Sequence, residues 1–445
     1  MDLTTLFCQL KPVKVLVLGD YMLDSYTEGK AERISPEAPV AVVHVSSERD
    51  LPGGAGNVVL GLLALGAEVT ACGRVGADLK GERVLRLLST GGADTTGMVL
   101  EEGFHTTFKN RVIASKQQVV RIDYEKVSEI SPPAEDQLTR FLEKEIPKHQ
   151  VLAISDYGKG GLSRTLLKKA IQCAKKHDIF VITDPKGLDF SKYDGTTLIK
   201  PNFSEAVAVS GLDKEAPLEE IGMAVLEAAG AEELLITRSE AGITYFDKKR
   251  NRHDFPAKVR QVRDVTGAGD TVLAALTLAR GSGLSMAHAC QIANVAAGLA
   301  VEEIGCAQVT LTQVARRLLT QATENKIFDD QHLSALKVGL EDTQLVYLAP
   351  DSFYTKELVE ILSQLKSGGK ELVLFISESE ESASFAEFLA DLKFVSALIL
   401  SQSPFEKVAE VLEVQELYQV LAGRLQKLAN PPLVKKESPS VLASL

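Results

Sequence analysis

The sequence predicts an α/β protein: a mostly parallel sheet with helices on both faces, a small projecting β sheet, and a smaller C-terminal α/β domain. Three observations predict it. Apolar strand-like runs alternate with longer helical patterns from residue 150 onward, the signature of a parallel sheet covered by helices. The first 125 residues carry further strand-like runs with few helices. After a polar stretch at 324–330 a second, shorter strand–helix alternation begins.

Residues 13–19 (VKVLVLG) are β-branched and closed by glycine, which reads as a buried strand. Strands are also expected at 39–45, 106–114 and 118–124, and helices at 54–65 and 82–88. The early strands are expected to have no helices between them and to form a small sheet projecting from the main body. Later strands are predicted at 150–155, 179–183, 197–199, 233–237 and 243–246. The helices that go with them span 163–176, 218–229, 268–280, 286–303 and 312–323. Beyond 330, strands fall at 344–348, 371–376 and 397–400, and helices at 355–366, 383–389 and 408–425. The domains are accordingly placed at 1–325 and 326–429. Residues 430–445, with Pro431, Pro432 and Pro439, read as a flexible tail.

Composition narrows the function. The chain of 445 residues is 45% hydrophobic and 24% charged, as soluble globular proteins are. Its net charge of −11 argues against a nucleic-acid binder, which needs a surplus of Lys and Arg. No apolar run reaches the ~20 residues of a membrane span, so no membrane partner is expected. Five dispersed cysteines (Cys8, Cys72, Cys173, Cys290, Cys306) without a CxxC pair read as reduced thiols of a cytoplasmic protein. Residues 1–325 hold 29 of the 33 glycines. Glycine lets backbone approach a ligand closely, so the chemistry is expected in that part.

The strongest chemical signal is Asp264-Val265-Thr266-Gly267-Ala268-Gly269-Asp270-Thr271, followed by a long apolar run. Gly267, Ala268 and Gly269 permit a tight turn whose amides point at one spot at a helix start, where the dipole also favours an anion. Asp270 falls in the first turn beside that spot. An anion hole next to a carboxylate is what phosphoryl transfer to an alcohol requires. The alternative is a glycine turn with Asp270 as an ordinary first-turn acid. The spacing is not that of a Walker A loop, and no dinucleotide fingerprint follows the first strand. Gly53-Gly54-Ala55-Gly56-Asn57 is a second glycine turn, and the Asn57 amide can bind a sugar hydroxyl both ways.

These two segments resemble the C-terminal and N-terminal signatures of the ribokinase/PfkB carbohydrate kinase family, in the family's order and spacing, over about residues 10–320. The resemblance implies a ribokinase-like fold. It implies that strands near 21–50 and 104–124 form a lid over the sugar and a homodimer contact. ATP and Mg²⁺ are the implied cofactors. Asn202 and Glu205 match the family's N-x-x-E element, with Phe203 and Ser204 between them, and Glu205 is expected to hold Mg²⁺ through water. Thr237 and Gly242 match the T-x-G-x-x-G element that many relatives carry beside the ATP phosphates, with Ser239 in place of its first glycine. Asn294 falls at the adenine pocket. Asp264 and Thr266 lie where some members bind a monovalent cation.

Within the family, Gly19 to Asp24, Arg33 to Val40, Gln117 to Asp123, Ser155 to Gly160, Asp184 to Gly187 and Pro201 to Glu205 resemble the heptose 7-phosphate kinase domain of bifunctional heptose kinase/adenylyltransferases. That implies phosphorylation of D-glycero-D-manno-heptose 7-phosphate at C1, toward ADP-heptose and lipopolysaccharide. Asp24, with Asp20, Gly53, Gly54, Asn57 and Asp156, is then expected at the sugar. Arg33, Lys109, Arg111, Arg121 and Lys159 are candidate contacts for the 7-phosphate, since cations match phosphate oxygens. Taken singly, each reads more readily as a surface cation, Lys109 and Arg121 above all. The C-terminal part of these relatives carries H-x-G-H, which is absent here, so adenylyl transfer is not expected from 326–445. That segment reads as a degenerate nucleotidyltransferase, an unrelated α/β module, or a domain of different activity. Another PfkB sugar kinase, or a non-catalytic regulator on a kinase scaffold, are the competing readings of the whole.

Overall fold

The computed structural model describes residues 7, 9–115, 117–257, 262–303, 305–322, 326–352, 356–366 and 368–429. Cys8 and the expected tail at 430–445 lie outside them. The chain divides into two compact units, one of residues 9–310 and one of residues 1–8 with 311–445.

In the first unit β1 (Lys14–Ile34) and β2 (Ala41–Gly54) lead into α1 (Ala55–Ala64), β3 (Glu68–Gly76), α2 (Leu79–Thr90) and β4 (Asp94–Glu101). Then come β5 (Phe108–Ala114), β6 (Gln117–Tyr124), α3 (Pro132–Glu145), β7 (Val151–Ser155), α4 (Arg164–Lys176), β8 (Phe180–Asp184) and β9 (Leu198–Ile199). They are followed by α5 (Phe203–Ser210), α6 (Leu218–Ala229), β10 (Glu233–Thr237), β11 (Ile243–Phe246), β12 (Arg252–Phe255), α7 (Ala268–Gly281) and α8 (Met286–Ala300).

The main sheet runs β12-β11-β10-β9-β8-β7-β1-β3-β4, parallel from β10 to β4 and antiparallel at β11 and β12. Its strands alternate faces, as the period of two requires. Leu16 and Leu18 of β1 join a core with α3, α4 and α6. Gly19, on the other face, packs so closely on α1 that an added Cβ would fall 2.5 Å from Ala55 Cβ. Helix α7 is buried at every residue from Thr271 to Ala279. A helix apolar all round belongs inside a core; only its N-terminus, from Gly267 to Asp270, emerges from it, with Gly269 exposed.

β1 is shared between two sheets. Lys14–Asp20 pairs with β3 and β7, while the stretch from Tyr21 to Ile34 pairs antiparallel with β2 and parallel with β5, which carries β6. This is the expected projecting sheet, with one correction. Its strands are separated in the chain by α1 and α2, and by β3 and β4, which join the main sheet instead.

The second unit contains α9 (Leu311–Ala322), β13 (Ile327–Phe328), α10 (Leu333–Gly339), β14 (Thr343–Leu348), α11 (Lys356–Lys366), β15 (Glu371–Ser377), α12 (Glu380–Ala390) and β16 (Ala397–Ser401). It ends with α13 (Phe405–Leu412), β17 (Glu416–Leu421) and β18 (Arg424–Lys427). The sheet order is β13-β16-β15-β14-β17-β18, parallel except for β18. The helix expected at 408–425 is corrected: it stops at Leu412, with Glu413 left-handed at φ 54°. β17 and β18 then form a hairpin, because Leu417 and Val420 are buried beside β14 and Ala422-Gly423 turns the chain at positive φ.

Among the described residues, Cys72, Cys173, Cys290 and Cys306 are free thiols, and no helix is long and apolar enough to cross a membrane.

Candidate active site

The parallel strands of the main sheet end side by side, and the loops after them form the site, as the crevice at the carboxyl ends of α/β strands commonly does. One cavity is lined by Asp156 and Tyr157 after β7, Asp184 and Lys186 at the end of β8, Lys200, Asn202 and Glu205 after β9, Thr237 of β10, and Gly267, Gly269 and Asp270.

Asp270 is at its centre. Gly267 precedes α7 with φ 78°, the left-handed conformation that glycine takes without strain. The expectation for Ala268 is corrected: its amide is consumed by Val265 O at 3.2 Å, which closes the turn, and does not point at the anion spot. The amides of Gly269 and Asp270 have no acceptor among the described residues, so these two face the cavity at the positive end of the helix dipole. The Asp270 carboxylate accepts the Asn57 amide on Oδ2 and the Tyr157 hydroxyl on Oδ1, each at 2.7 Å. Burial raises its pKa; these two bonds and the charge of Lys200 oppose the rise.

Lys200 is almost fully buried and pairs with Asp184 at 2.9 Å. Burial still dominates at Asp184 and pushes its pKa up to about 6, with Lys200 opposing and Asp270 and Glu205 adding to it. Neither residue is a sequence candidate for the site, although Asp184 opens a segment that carries the family resemblance; the only signal for Lys200 is that it follows a strand directly before a turn. Tyr157 is not a candidate either, although the segment that contains it carries the family resemblance.

Asn202 and Glu205 form a capping box on α5: Glu205 N donates to Asn202 Oδ1 at 2.9 Å, and Asn202 N to Glu205 Oε2 at 3.0 Å. Glu205 Oε1 also pairs with Lys186 at 2.7 Å. Phe203 and Ser204 form the first turn of α5, and with Thr237 they border the adjoining groove. Ser239 adopts φ 49°, in the left-handed region that glycine takes most easily, and Gly242 has φ 83°.

A larger, mainly apolar slot of about 580 Å³ opens beside the anion hole, walled by Ile243, Val265, Val272, Ala297 and Val301. Asn294 borders it and ties down the chain after β12 by donating to Phe255 O at 2.8 Å. Asp264 organises the neighbouring turns. It accepts Thr266 N and Oγ1 on one oxygen and Gly305 N on the other.

Where β1 enters the projecting sheet, Asp24 pairs with Arg111 at 2.7 Å. Gly53 is required there, since an added Cβ would lie 2.2 Å from Asp24 Oδ2. Gly54, at φ 58°, turns the chain into α1 so that Asn57 reaches Asp270.

Two further expectations change. Asp20 is 4% exposed, and its oxygens accept the amides of Tyr157, Lys159 and Gly161 at 2.9–3.2 Å. It fastens the loop after β7 rather than presenting a free carboxylate. Arg33 is exposed near the far tip of the projecting sheet. Nine strand residues from Asp24 amount to about 30 Å, so it lies away from this site.

Asp156 is buried and held by Lys192 at 2.6 Å and the Tyr193 hydroxyl at 2.7 Å. Lys109, Arg121 and Lys159 converge on two carboxylates: Lys109 on Asp123 and Glu125, Arg121 on Asp123, and Lys159 on Glu125 at 2.8 Å.

The profile of the pfkB family of carbohydrate kinases matches residues 13–313. Among curated proteins, the "Bifunctional protein HldE" of Geobacter sulfurreducens is 44% identical over 320 residues, covering 71% of this chain and 65% of that protein. The HldE of Trichlorobacter lovleyi is 42% identical over 336 residues, covering 75% and 68%. The chain thus spans about two thirds of the length of these relatives. The fold is similar to that of Arabidopsis thaliana ribokinase complexed with ribose and ATP, at 20% identity and TM-score 0.55 over 69% of this chain and 99% of that one. It is also similar to Escherichia coli phosphofructokinase-2 in complex with potassium, at 20% identity and TM-score 0.58 over 70% and 100%.

Proposed function

The chain belongs to the pfkB family of carbohydrate kinases, and on that premise we propose that it phosphorylates D-glycero-D-manno-heptose 7-phosphate at C1, using ATP, in the cytoplasm. The product, heptose 1,7-bisphosphate, would feed ADP-heptose and lipopolysaccharide synthesis. The observation that carries the reading is Asp270 at the open N-terminus of α7, with a donor on each oxygen.

In this reading Asp270 takes the proton of the C1 hydroxyl as that oxygen bonds to the γ-phosphorus and the bond to the β-phosphate oxygen breaks, releasing ADP. The Gly269 and Asp270 amides hold the transferring group, whose equatorial oxygens carry the charge. The apolar slot bordered by Asn294 suits an adenine ring, being walled by aliphatic side chains with one amide at its edge. Asn202 and Glu205 offer hard oxygen donors of the kind Mg²⁺ selects, and Mg²⁺, when bound, neutralises charge on the β- and γ-phosphates. Asp24 and Asn57 are assigned to sugar hydroxyls. Arg111, Lys109 and Lys159 are assigned to the 7-phosphate, which would replace Asp24, Asp123 and Glu125 as counter-ions. The projecting sheet is assigned to a lid that excludes water. It is also assigned to a homodimer contact, supported by exposed Val40, Val45, Val119, Val120 and Ile122.

Adenylyl transfer is not assigned to the C-terminal unit. After β14, where H-x-G-H would be expected, stands Ala349-Pro350-Asp351-Ser352. Ser352 is buried there and donates to Val420 O at 3.1 Å, drawing the turn onto β17.

An ATP-consumption screen across free and phosphorylated heptoses, hexoses and pentoses tests the assignment. Preference for heptose 7-phosphate is expected, and preference for an unphosphorylated sugar overturns it.

A further inference from the structure

We propose that Tyr157 is a positioning residue for the reaction: with Asn57 it fixes the Asp270 carboxylate in the orientation that receives the proton of the acceptor hydroxyl. The inference rests on the reading of Asp270 as general base.

The two donors reach Asp270 from separate elements, Asn57 from α1 and Tyr157 from the loop after β7, and each takes a different oxygen at 2.7 Å. A carboxylate has roughly four lone-pair positions. One donor on each oxygen stops rotation about the Cβ–Cγ bond and still leaves lone pairs for a substrate. Asn57 alone would fix one oxygen and allow the plane to swing.

The loop that carries Tyr157 is held far more firmly than a surface loop needs to be. Asp20 takes the amides of Tyr157, Lys159 and Gly161. Arg74, paired with Glu101 at 2.7 Å, donates to the carbonyls of Lys159, Ser128 and Glu129. Ile130 N donates to Gly160 O at 2.9 Å. Glycine is needed at both Gly160 and Gly161: an added Cβ would lie 2.1 Å from Ser128 O at Gly160 and 2.7 Å from Asp20 Oδ1 at Gly161. The Tyr157 ring lies against Gly54, whose added Cβ would come within 3.5 Å of it. The ring is therefore wedged between the glycine turn and Asp270, on the wall of the cavity.

The charged and titratable groups around this pair are Lys200, Asp184, Asp24 and Cys306. Burial, then Asp270 and Asp184, holds the Tyr157 phenol far above its usual pKa, so it stays a donor at any working pH. Removing the hydroxyl takes away a bond made to the ionised carboxylate, which favours the protonated base.

The test is Tyr157→Phe in the full chain, with kinetics against pH, ATP affinity and thermal melting. The expected result is a kcat lower by about 10-fold or more, part of the roughly 10²–10⁴ that a general base supplies. KM for ATP should stay within about twofold, and the acid limb of kcat should move to higher pH. 3-Fluorotyrosine at position 157 keeps ring and hydroxyl, so it preserves the fold while making the donor more acidic. It should move the limb to lower pH. A structural role alone would lower the melting temperature and leave the limb in place. An active wild type whose limb and kcat respond to neither change overturns this inference alone. A wild type that phosphorylates no sugar or sugar phosphate overturns the functional reading, and this inference with it.

Discussion

The Asn57 amide nitrogen stands 2.7 Å from Asp270 Oδ2, although 213 residues separate them in the chain. The contact joins the glycine turn before α1 to the glycine turn before α7. It exists because α1 and α7 pack side by side with their N-termini at the same end of the sheet.

Replacing Asp270 with Asn keeps the size and the helix start but removes the carboxylate proposed to accept the proton. Turnover should fall by about 10²–10⁴-fold, with ATP affinity retained. Single-turnover kinetics and calorimetric titration with a non-hydrolysable ATP analogue check this.

Gly267→Ala strikes the anion hole through the backbone. At φ 78° an alanine is strained by about 1–2 kcal/mol, and its Cβ would lie 3.0 Å from Asn57 Nδ2. Lower stability in urea and a kcat reduced at least about 10-fold are expected together, since the clash displaces Asn57, which holds the proposed base Asp270.

Arg74 and Glu101 form a buried ion pair, with side chains 3% and 9% exposed. Arg74→Met leaves Glu101 unpaired, which typically costs about 3–5 kcal/mol. The exposed pair of Arg164 with Asp189 should yield under about 1 kcal/mol when Arg164 becomes Ala. Equilibrium unfolding of the two variants separates the cases.

Asp184 gives stability a pH dependence of definite sign. Its pKa is raised from 3.8 to about 6 in the fold. The folded state therefore holds the proton more tightly, and the group favours folding most below about pH 4. That contribution is lost as pH rises through 6. Wild type should lose stability relative to Asp184→Asn between about pH 4 and pH 6, as read by melting curves across that range.

Much of this arrangement was legible in the sequence because glycine and acid at fixed places carry their own physics. Gly267 to Asp270 announced a helix start with a carboxylate in its first turn, and Asn57 followed a similar turn. Other parts were not legible. The second half of β1 is polar from Thr27 onward because it runs out into the projecting sheet, where neither face is in the main core. α3 opens on Pro132-Pro133 and is rich in charge, which hid the spacing of Ala134, Leu138 and Leu142. The segment 414–421 suits a helix as well as a strand; only pairing with β14 decides it. Asp20 and Asp24 look alike as acids near a strand end. They are separated by the loop 157–161, which consumes one and leaves the other to Arg111. Tyr157 carries no signal of its own until β7 and α7 are placed beside each other.

The C-terminal unit should leave heptose 1-phosphate and ATP unchanged. Formation of ADP-heptose by the purified chain would reverse that assignment.

The central claim is tested most directly by ³¹P NMR of the chain incubated with Mg·ATP and D-glycero-D-manno-heptose 7-phosphate. The account predicts a second sugar phosphate resonance, split by the anomeric proton, appearing in step with ADP and abolished by Asp270→Asn. ADP formation without that resonance, or the same product from Asp270→Asn at the wild-type rate, would contradict it.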